Sequence, residues 1–288
     1  MRRQPLWDAE GRDWPNRQAS RFVTVAGLPW HVQVMGRGPV LLLIHGTGAA
    51  THSWRDLAPL LAQRFTVVAP DLPGHGFSDL RSRLHMSLPR IAGALWGLLC
   101  ALDLRPTFVV GHSAGAAIGL RMILDAKISP CAMVSLNGAL SPFPGLAAIL
   151  FPALAKLMFL NPCAAPILTR RAADPAAVAR MIEGTGSKLD AAGLGLYQRL
   201  LRTERHVEAT LAMMANWDLR PLQRDLPALA TPLTLVSADR DRAVPPQVAN
   251  DAKGRVPAAR VFKLAGHGHL AHEEAPEMVA EIIRKACV

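Results

Sequence analysis

The segment Gly111-His112-Ser113-Ala114-Gly115 holds the side chain with the clearest chemical potential in the sequence. It follows Thr107-Phe108-Val109-Val110, a short apolar run rich in strand formers, and precedes Ala116 to Ala126, which reads as a helix. A strand, a tight turn carrying serine and then a helix is the context in which G-x-S-x-G works as a nucleophile elbow. The turn lifts the Ser113 hydroxyl to the top of a sheet. Gly111 and Gly115 are small because a strained turn and a close helix leave no room for a side chain.

A serine hydroxyl is a weak nucleophile at neutral pH. It needs a base, and the base needs an orienting acid. On a sheet of this kind the chain order is serine, acid, histidine. Ser237-Ala238-Asp239-Arg240-Asp241-Arg242-Ala243-Val244-Pro245 follows a strand-like run and supplies two carboxylates. Asp241 is the preferred acid from its D-x-x-V-P register just before a helix, with Asp239 as the alternative. Gly266-His267-Gly268-His269-Leu270-Ala271-His272 supplies three imidazoles. His269, seven residues before Pro276, stands in the register of a base, and His267 is its rival. The three histidines together could suggest a metal. The loop lacks the Asp or Cys partners and the i, i+4 helical spacing of such sites, so no metal is expected.

Acyl chemistry also needs donors for a developing oxyanion. His45-Gly46-Thr47-Gly48 directly follows the apolar run Val40 to Ile44. The backbone N–H groups of Thr47 and Ala114 are the expected pair, and His45 and His112 beside these turns are candidates for ligand contact. The G-x-G-x-x-G and Walker A patterns are both absent, so no nucleotide cofactor is expected. Asp71-Leu72-Pro73-Gly74-His75-Gly76-Phe77-Ser78 reads as a structural turn fixed by Asp71, without a direct catalytic part for His75.

Several elements must position these groups. Strands are expected over 21–26, 30–34, 40–44, 65–69, 107–110, 131–136, 233–236 and 260–264, with Gly27-Leu28-Pro29 as the first turn. Helices are expected near 54–62, 87–102, 116–126, 247–253 and 276–285, with Ser87 as an N-cap and Pro89 in the first turn. Repeated strand–helix units imply an α/β fold, a mostly parallel central sheet flanked by helices. The alternation breaks over 138–225, which is helix-like and rich in Ala, Leu, Met and Pro. This block is expected to be an inserted helical cap over the C-terminal strand ends, where ligands bind. The division is therefore an arm at 1–20, a core at 21–137 and 226–288, and a cap at 138–225.

Half of the 288 residues are apolar, enough for a sizeable core. The net charge of +10 fits an acidic small molecule or an anionic membrane surface. The arginines are dispersed, with no basic stripe interleaved with aromatics, which argues against nucleic acid. Cys100, Cys131, Cys163 and Cys287 are scattered; Cys100 and Cys131 lie in apolar segments and read as buried thiols of a reducing compartment. Met1-Arg2-Arg3-Gln4-Pro5 is not followed by an apolar run, unlike a secretory signal. The apolar stretch Gly138 to Leu160 is broken by Pro142, Pro144 and Pro152 and carries Lys156, so it reads as lid or membrane-surface material. A cytoplasmic protein, with a peripheral membrane contact, is the expectation.

HGTG at 45–48, DLPGHGFS at 71–78, GHSAG at 111–115, DRDRAVP at 239–245 and GHLAHEEAPE at 268–277 together resemble the α/β-hydrolase superfamily. The resemblance spans about 21–288 and implies Ser113, Asp241 and His269 as nucleophile, acid and base. Serine at the elbow separates the chain from the epoxide-hydrolase and haloalkane-dehalogenase branches, which use aspartate there. Asp13-Trp14-Pro15-Asn16-Arg17, Ser20-Arg21-Phe22-Val23, Trp30-His31-Val32-Gln33 and HGTGAATHSW resemble, more narrowly, the magnesium-chelatase accessory proteins of bacteriochlorophyll biosynthesis in photosynthetic bacteria. That resemblance implies a tetrapyrrole pathway and magnesium-chelatase subunits as partners. A tetrapyrrole is an apolar plane with carboxylate tails. Met158, Phe159, Met181, Met213, Met214 and Trp217 could supply apolar walls, and Arg170, Arg171, Arg180, Arg199, Arg202 and Arg205 cations. Ordinary cap core and a solvated basic face explain the same residues equally well.

Overall fold

The computed structural model describes residues 7–80, 86–142 and 156–287. The extreme N-terminus and most of the proline-broken apolar stretch, including Pro144 and Pro152, lie outside that description. Among the described residues eight strands form one sheet: β1 (Ser20–Val25), β2 (Leu28–Met35), β3 (Val40–Ile44), β4 (Thr66–Pro70), β5 (Phe108–His112), β6 (Ala132–Leu136), β7 (Leu233–Ala238) and β8 (Arg260–Leu264). Their spatial order is β1-β2-β4-β3-β5-β6-β7-β8. Strands β3 to β8 run parallel, while β2 is antiparallel to both β1 and β4. The β1–β2 hairpin closes on Ala26 and Gly27, both at positive φ (49° and 76°), the twist that suits a two-residue turn. The turn therefore begins one residue before the expected Gly27-Leu28-Pro29, and Leu28 and Pro29 already belong to β2.

The central strands are apolar on both sides because both faces are covered. Side chains of β3 alternate between them: Leu42 and Ile44 join the cluster under α3 (Leu88–Ala101) and α4 (Ala114–Leu124). Leu41 and Leu43 join the opposite cluster. There Leu57 and Leu61 of α2 (Leu57–Leu61) and Val279 and Ile283 of a C-terminal helix over Pro276–Ala286 cover the sheet. Each such side chain contributes about 1.5–3 kcal/mol of burial. Ser87 does occupy the N-cap position of α3, but its side chain makes no capping bond. Cys100 and Cys131 are exposed rather than buried, as is Cys163, and only Cys287 is buried. An apolar neighbourhood in sequence did not fix the face that each thiol occupies. The N-terminal arm is partly regular, with a short α1 at Trp7–Glu10. It is pinned by Trp14, whose indole packs with Phe77, Leu196 and Leu200 and donates to Thr51 Oγ1 at 2.9 Å.

Between β6 and β7 the described chain is helical: α5 (Ala164–Arg171), α6 (Pro175–Gly184), α7 (Ala191–Leu201), α8 (Glu204–Ala215) and α9 (Arg220–Asp225). Asp174 and Asp190 cap α6 and α7, accepting from Ala176 N and Gly193 N. Among the described residues, no helix is long and apolar enough to cross a membrane.

The loops at the C-terminal strand ends are tied by buried polar groups. Asp71 lies fully buried; its Oδ1 accepts from Thr51 N at 2.6 Å, and its Oδ2 accepts from Phe77 N at 2.9 Å and faces His31 Nδ1 at 2.7 Å. Burial pushes its pKa up, but His31 and these donors outweigh burial and hold it below the usual carboxylate range. Burial has the opposite consequence for His45, His52, His75, His112, His206 and His272, whose pKa values all fall, to about 4 for His206 and about 3 for His272.

Two expectations follow from this packing. A Cβ on Gly115 would lie 2.0 Å from Ile44 O, so Gly115→Ala must push α4 off β3. Urea unfolding should show a loss of about 2–3 kcal/mol; an unchanged midpoint would mean that the helix shifts freely. The second concerns pH. Histidines with depressed folded pKa values bind protons more readily when unfolded, so stability is lost as pH falls below their unfolded value of about 6.5. Asp71, also depressed, contributes stability above about pH 4 that is lost as pH falls further. Unfolding free energy should therefore be flat between about pH 7 and 8 and decline toward acid, and it should decline again above about pH 9, where Cys287 and Tyr197, kept protonated by burial, ionise on unfolding. A maximum at pH 5 would contradict this.

Candidate active site

The chain order β3, β4, β5 sends β4 to one side of β3 and β5 to the other. The loops leaving β3 and β5 diverge there and open a crevice at the strand ends, the usual ligand position in such sheets. Ser113 sits between β5 and α4 with φ 52° and ψ −119°. Such a conformation costs about 1–3 kcal/mol in a non-glycine residue and persists only where neighbours over-determine it. They do so here: Ser113 N donates to Leu136 O at 3.0 Å, and Ser113 O accepts from Ala116 N at 3.1 Å and Ala139 N at 3.0 Å. A Cβ at Gly111 would meet Ala116 N at 2.5 Å. Both glycines of the motif are thus demanded by backbone proximity.

The loop after β7 carries Asp241 inward, buried to 6 % exposure. Its Oδ1 accepts from Ala243 N and Val244 N, each at 2.8 Å, which orients the carboxylate. Its Oδ2 accepts from His269 Nδ1 at 2.8 Å. With Nδ1 as donor, His269 keeps an unprotonated Nε2 able to accept a proton. Asp239 is spent elsewhere, accepting from Gly266 N at 2.7 Å, and His267 Nδ1 donates to Ala265 O at 2.8 Å. His272 is buried and bonds Ser53 Oγ at 2.8 Å through Nε2. Among the described residues no group of three His, Cys, Asp or Glu side chains could hold a metal ion.

Ser113 and His269 are linked through the residue between them and the sheet. His112 Nε2 donates to His269 O at 2.9 Å, and the two rings lie 4.7 Å apart. No hydrogen bond joins the Ser113 hydroxyl to His269 in this structure. Unliganded catalytic pairs are often long and tighten only around substrate. Asn137, at φ 47° just past β6, was not singled out from the sequence. Its Nδ2 donates to Asp241 Oδ2 at 2.6 Å and reaches Gly268 O at 3.3 Å, so it spans the acid and base loops. The signal available was an asparagine followed by glycine at a strand end, where a left-handed residue is common.

The loop 45–48 lies against the elbow: a Cβ on Gly46 would be 3.0 Å from Ser113 Cβ. Neither Thr47 N nor Ala114 N is engaged by a hydrogen bond among the described residues, so both donors stay open. His45 differs from its expected part in ligand contact. It is fully buried, its Nδ1 donates to Gly46 O at 2.8 Å and its Nε2 accepts from Leu72 N at 2.9 Å, which leaves nothing to offer a ligand. His112 is likewise buried and occupied on Nε2. Met158 packs against Ala164, Ala165, Val207 and Leu211 within the insertion. Met214 points outward at 42 % exposure, whereas its neighbour Met213 is buried and receives the Thr47 hydroxyl at 3.5 Å from its sulfur. A step of one residue turns a helix by about 100°, enough to exchange the inner and outer faces. Trp217 packs against the main core.

Helix α8 lies over the loops through His206, whose Nε2 donates to Gly48 O at 3.1 Å and whose Nδ1 accepts from Gly76 N at 3.2 Å. Nothing in the local residue pattern singles it out. Arg170, Arg171, Arg180 and Arg202 are exposed, and Arg199 and Arg205 pair with Asp13 and Asp79. The basic set therefore forms an outer face and inter-element ties.

Comparison with known proteins accords with the fold. The family model for the alpha/beta hydrolase fold matches residues 39–276. The chain is 41% identical over 273 residues to the magnesium-chelatase 30 kDa subunit of Rhodobacter capsulatus, covering 94% of this chain and 95% of that one. It is 31% identical over 235 residues to a pimeloyl-[acyl-carrier protein] methyl ester esterase of Methylococcus capsulatus, covering 78% of this chain and 85% of that one. A crystal structure of an alpha/beta hydrolase fold protein from Burkholderia ambifaria superposes with a TM-score of 0.78 at 23% identity, over 93% of this chain and 97% of that one. The chain belongs to the α/β-hydrolase family.

Proposed function

We propose that the chain is a serine hydrolase acting on an ester or related carbonyl, working beside magnesium chelatase in tetrapyrrole synthesis. The observation that carries the chemical half is the Asp241–His269 hydrogen bond, held next to a strained Ser113 elbow with two open amide donors. The biological half rests on the similarity to the Rhodobacter subunit over nearly the whole of both chains.

The steps balance as follows. Ser113 Oγ attacks the carbonyl carbon while its proton passes to His269 Nε2. Asp241 stabilises the resulting imidazolium through Nδ1–H. The oxyanion takes hydrogen bonds from Thr47 N–H and Ala114 N–H. Collapse expels the leaving group, which takes the proton from His269, and leaves an acyl-serine. Water then repeats the sequence and frees the acid. The helical segment described over 156–225 serves as the cap, with α8 lying on the loops that hold the site.

A second reading keeps the scaffold and drops the turnover: a module that binds a porphyrin or assists the chelatase. Similarity over nearly the whole chain to a protein named as a chelatase subunit favours it, since fold alone does not fix function. A carboxylesterase unconnected with pigment is a third. It would hydrolyse simple acyl esters and bind no porphyrin.

Ser113→Ala should remove labelling by a fluorophosphonate while leaving the circular dichroism unchanged. Asp241→Asn should slow labelling and ester hydrolysis by about 10³- to 10⁴-fold, because the imidazole loses its orienting acceptor. Labelling retained in Ser113→Ala excludes this nucleophile. In a photosynthetic bacterium lacking its own 30 kDa subunit, the native chain should restore pigment and Ser113→Ala should not. Full restoration by Ser113→Ala would select the non-catalytic reading.

A further inference from the structure

One turn of the insertion does more than cover the core. Thr185-Gly186-Ser187, between α6 and α7, is wedged between the loop carrying Asp241 and the loop carrying His269. Thr185 O accepts from Arg242 N at 3.0 Å and from His269 N at 3.4 Å, so a single carbonyl touches both loops. Ser187, fully buried, accepts from Leu270 N at 2.8 Å and donates to Glu274 Oε2 at 3.2 Å. Glu274 Oε2 also accepts from Gly268 N at 2.8 Å, and its Oε1 accepts from Lys188 N at 3.0 Å. The glycines permit the wedge. Gly186 has φ 89°, and a Cβ there would fall 1.9 Å from Arg240 O; a Cβ on Gly268 would fall 2.3 Å from Gly186 C.

Beside this turn, the two loops share the Asp241–His269 bond itself and a bond from Gly266 N to Asp239 Oδ1 at 2.7 Å. Arg240 N donates to His267 O at 3.0 Å at their outer end, and Asn137 reaches both from below. The amides flanking His269 on either side, and that of His269 itself, all donate to the wedge or to Glu274. Glu274 is a charged acceptor for two backbone amides, the stronger kind of hydrogen bond.

We infer that Ser187 and Glu274 are positioning residues which, through the Thr185–Ser187 turn, set the register of His269 against Asp241. The acid–base pair is then completed by the insertion and is not a property of the sheet alone. The inference rests on the proposed roles of Asp241 and His269. Misplacement of a catalytic group by about 1 Å can cost about 10²-fold in rate, so a wedge of this kind controls turnover without touching substrate.

The test uses the intact chain and amide hydrogen exchange, which needs neither substrate nor an active serine. Ser187→Ala removes an acceptor that touches only the base loop. Exchange should quicken by about tenfold or more at residues 268–271 and also at 241–244, which Ser187 does not touch. Fluorophosphonate capture at Ser113 should slow by about tenfold. Glu274→Gln, at a partly exposed site, should reproduce the pattern should Ser187→Ala not fold. Faster exchange confined to 268–271, with capture at the native rate, would overturn the inference. A native chain that captures no fluorophosphonate would instead remove the hydrolase reading, and the exchange pattern would still decide the positioning role.

Discussion

The left-handed backbone at Ser113 is the constraint on which the surrounding structure depends. A serine at φ 52° is unfavourable by itself, and the fold must hold it there. Hydrogen bonds to Leu136 and from Ala116 and Ala139 do so, which means that β6 and the loop after it are part of the elbow. The same geometry dictates glycine at 111 and 115, because α4 must pass within backbone contact of β3 and of its own entry turn. In the proposed function this turn carries the nucleophile, and the amides of Thr47 and Ala114 receive the oxyanion.

Around this elbow the protein uses neutral histidines as fixed hydrogen-bonding bodies. His45 joins the β3 loop to Leu72, His206 joins α8 to two glycine loops, and His112 holds the carbonyl of His269. Burial keeps them uncharged, so each presents one donor and one acceptor in a set direction. The cost is acid sensitivity. Glu273 illustrates the opposite solution: a carboxylate raised by burial that accepts from Ser53 and Tyr197 and pairs with Arg55, joining α7 to the core behind the base loop.

The helical insertion is therefore anchored at the side of the site where the acid and base loops meet. Thr185, Ser187, Asp190 and Tyr197 all tie this part of it to the core. Its other limb presents Leu157, Leu160 and Ile167 to solvent at 66, 66 and 59 % exposure and packs chiefly on α8. One end of the insertion thus belongs structurally to the site, while the other presents an apolar and basic face outward.

The strand–helix order, the strand–turn–helix around Ser113, the loop fixed by Asp71 and a helical stretch between the sixth and seventh strands were legible in the sequence. Each is encoded locally, by an apolar run, a glycine pair or a break in alternation. Motif register favoured Asp241 over Asp239 and His269 over His267, but only tertiary structure shows which carboxylate meets which ring, because that depends on two loops from distant strands. The same holds for Met213 facing Thr47 while Met214 faces solvent, for the outward turn of Cys100 and Cys131, and for His45 being consumed by its own loop. His206 and the Thr185–Ser187 wedge left no mark in the sequence, and Asn137 left only the Asn-Gly pair at a strand end. Local sequence determined backbone form, since that follows from short-range sterics and burial period. Tertiary structure alone decided the partners of each polar atom, since a hydrogen bond across a hundred residues is set by where the packed elements finally place its two ends.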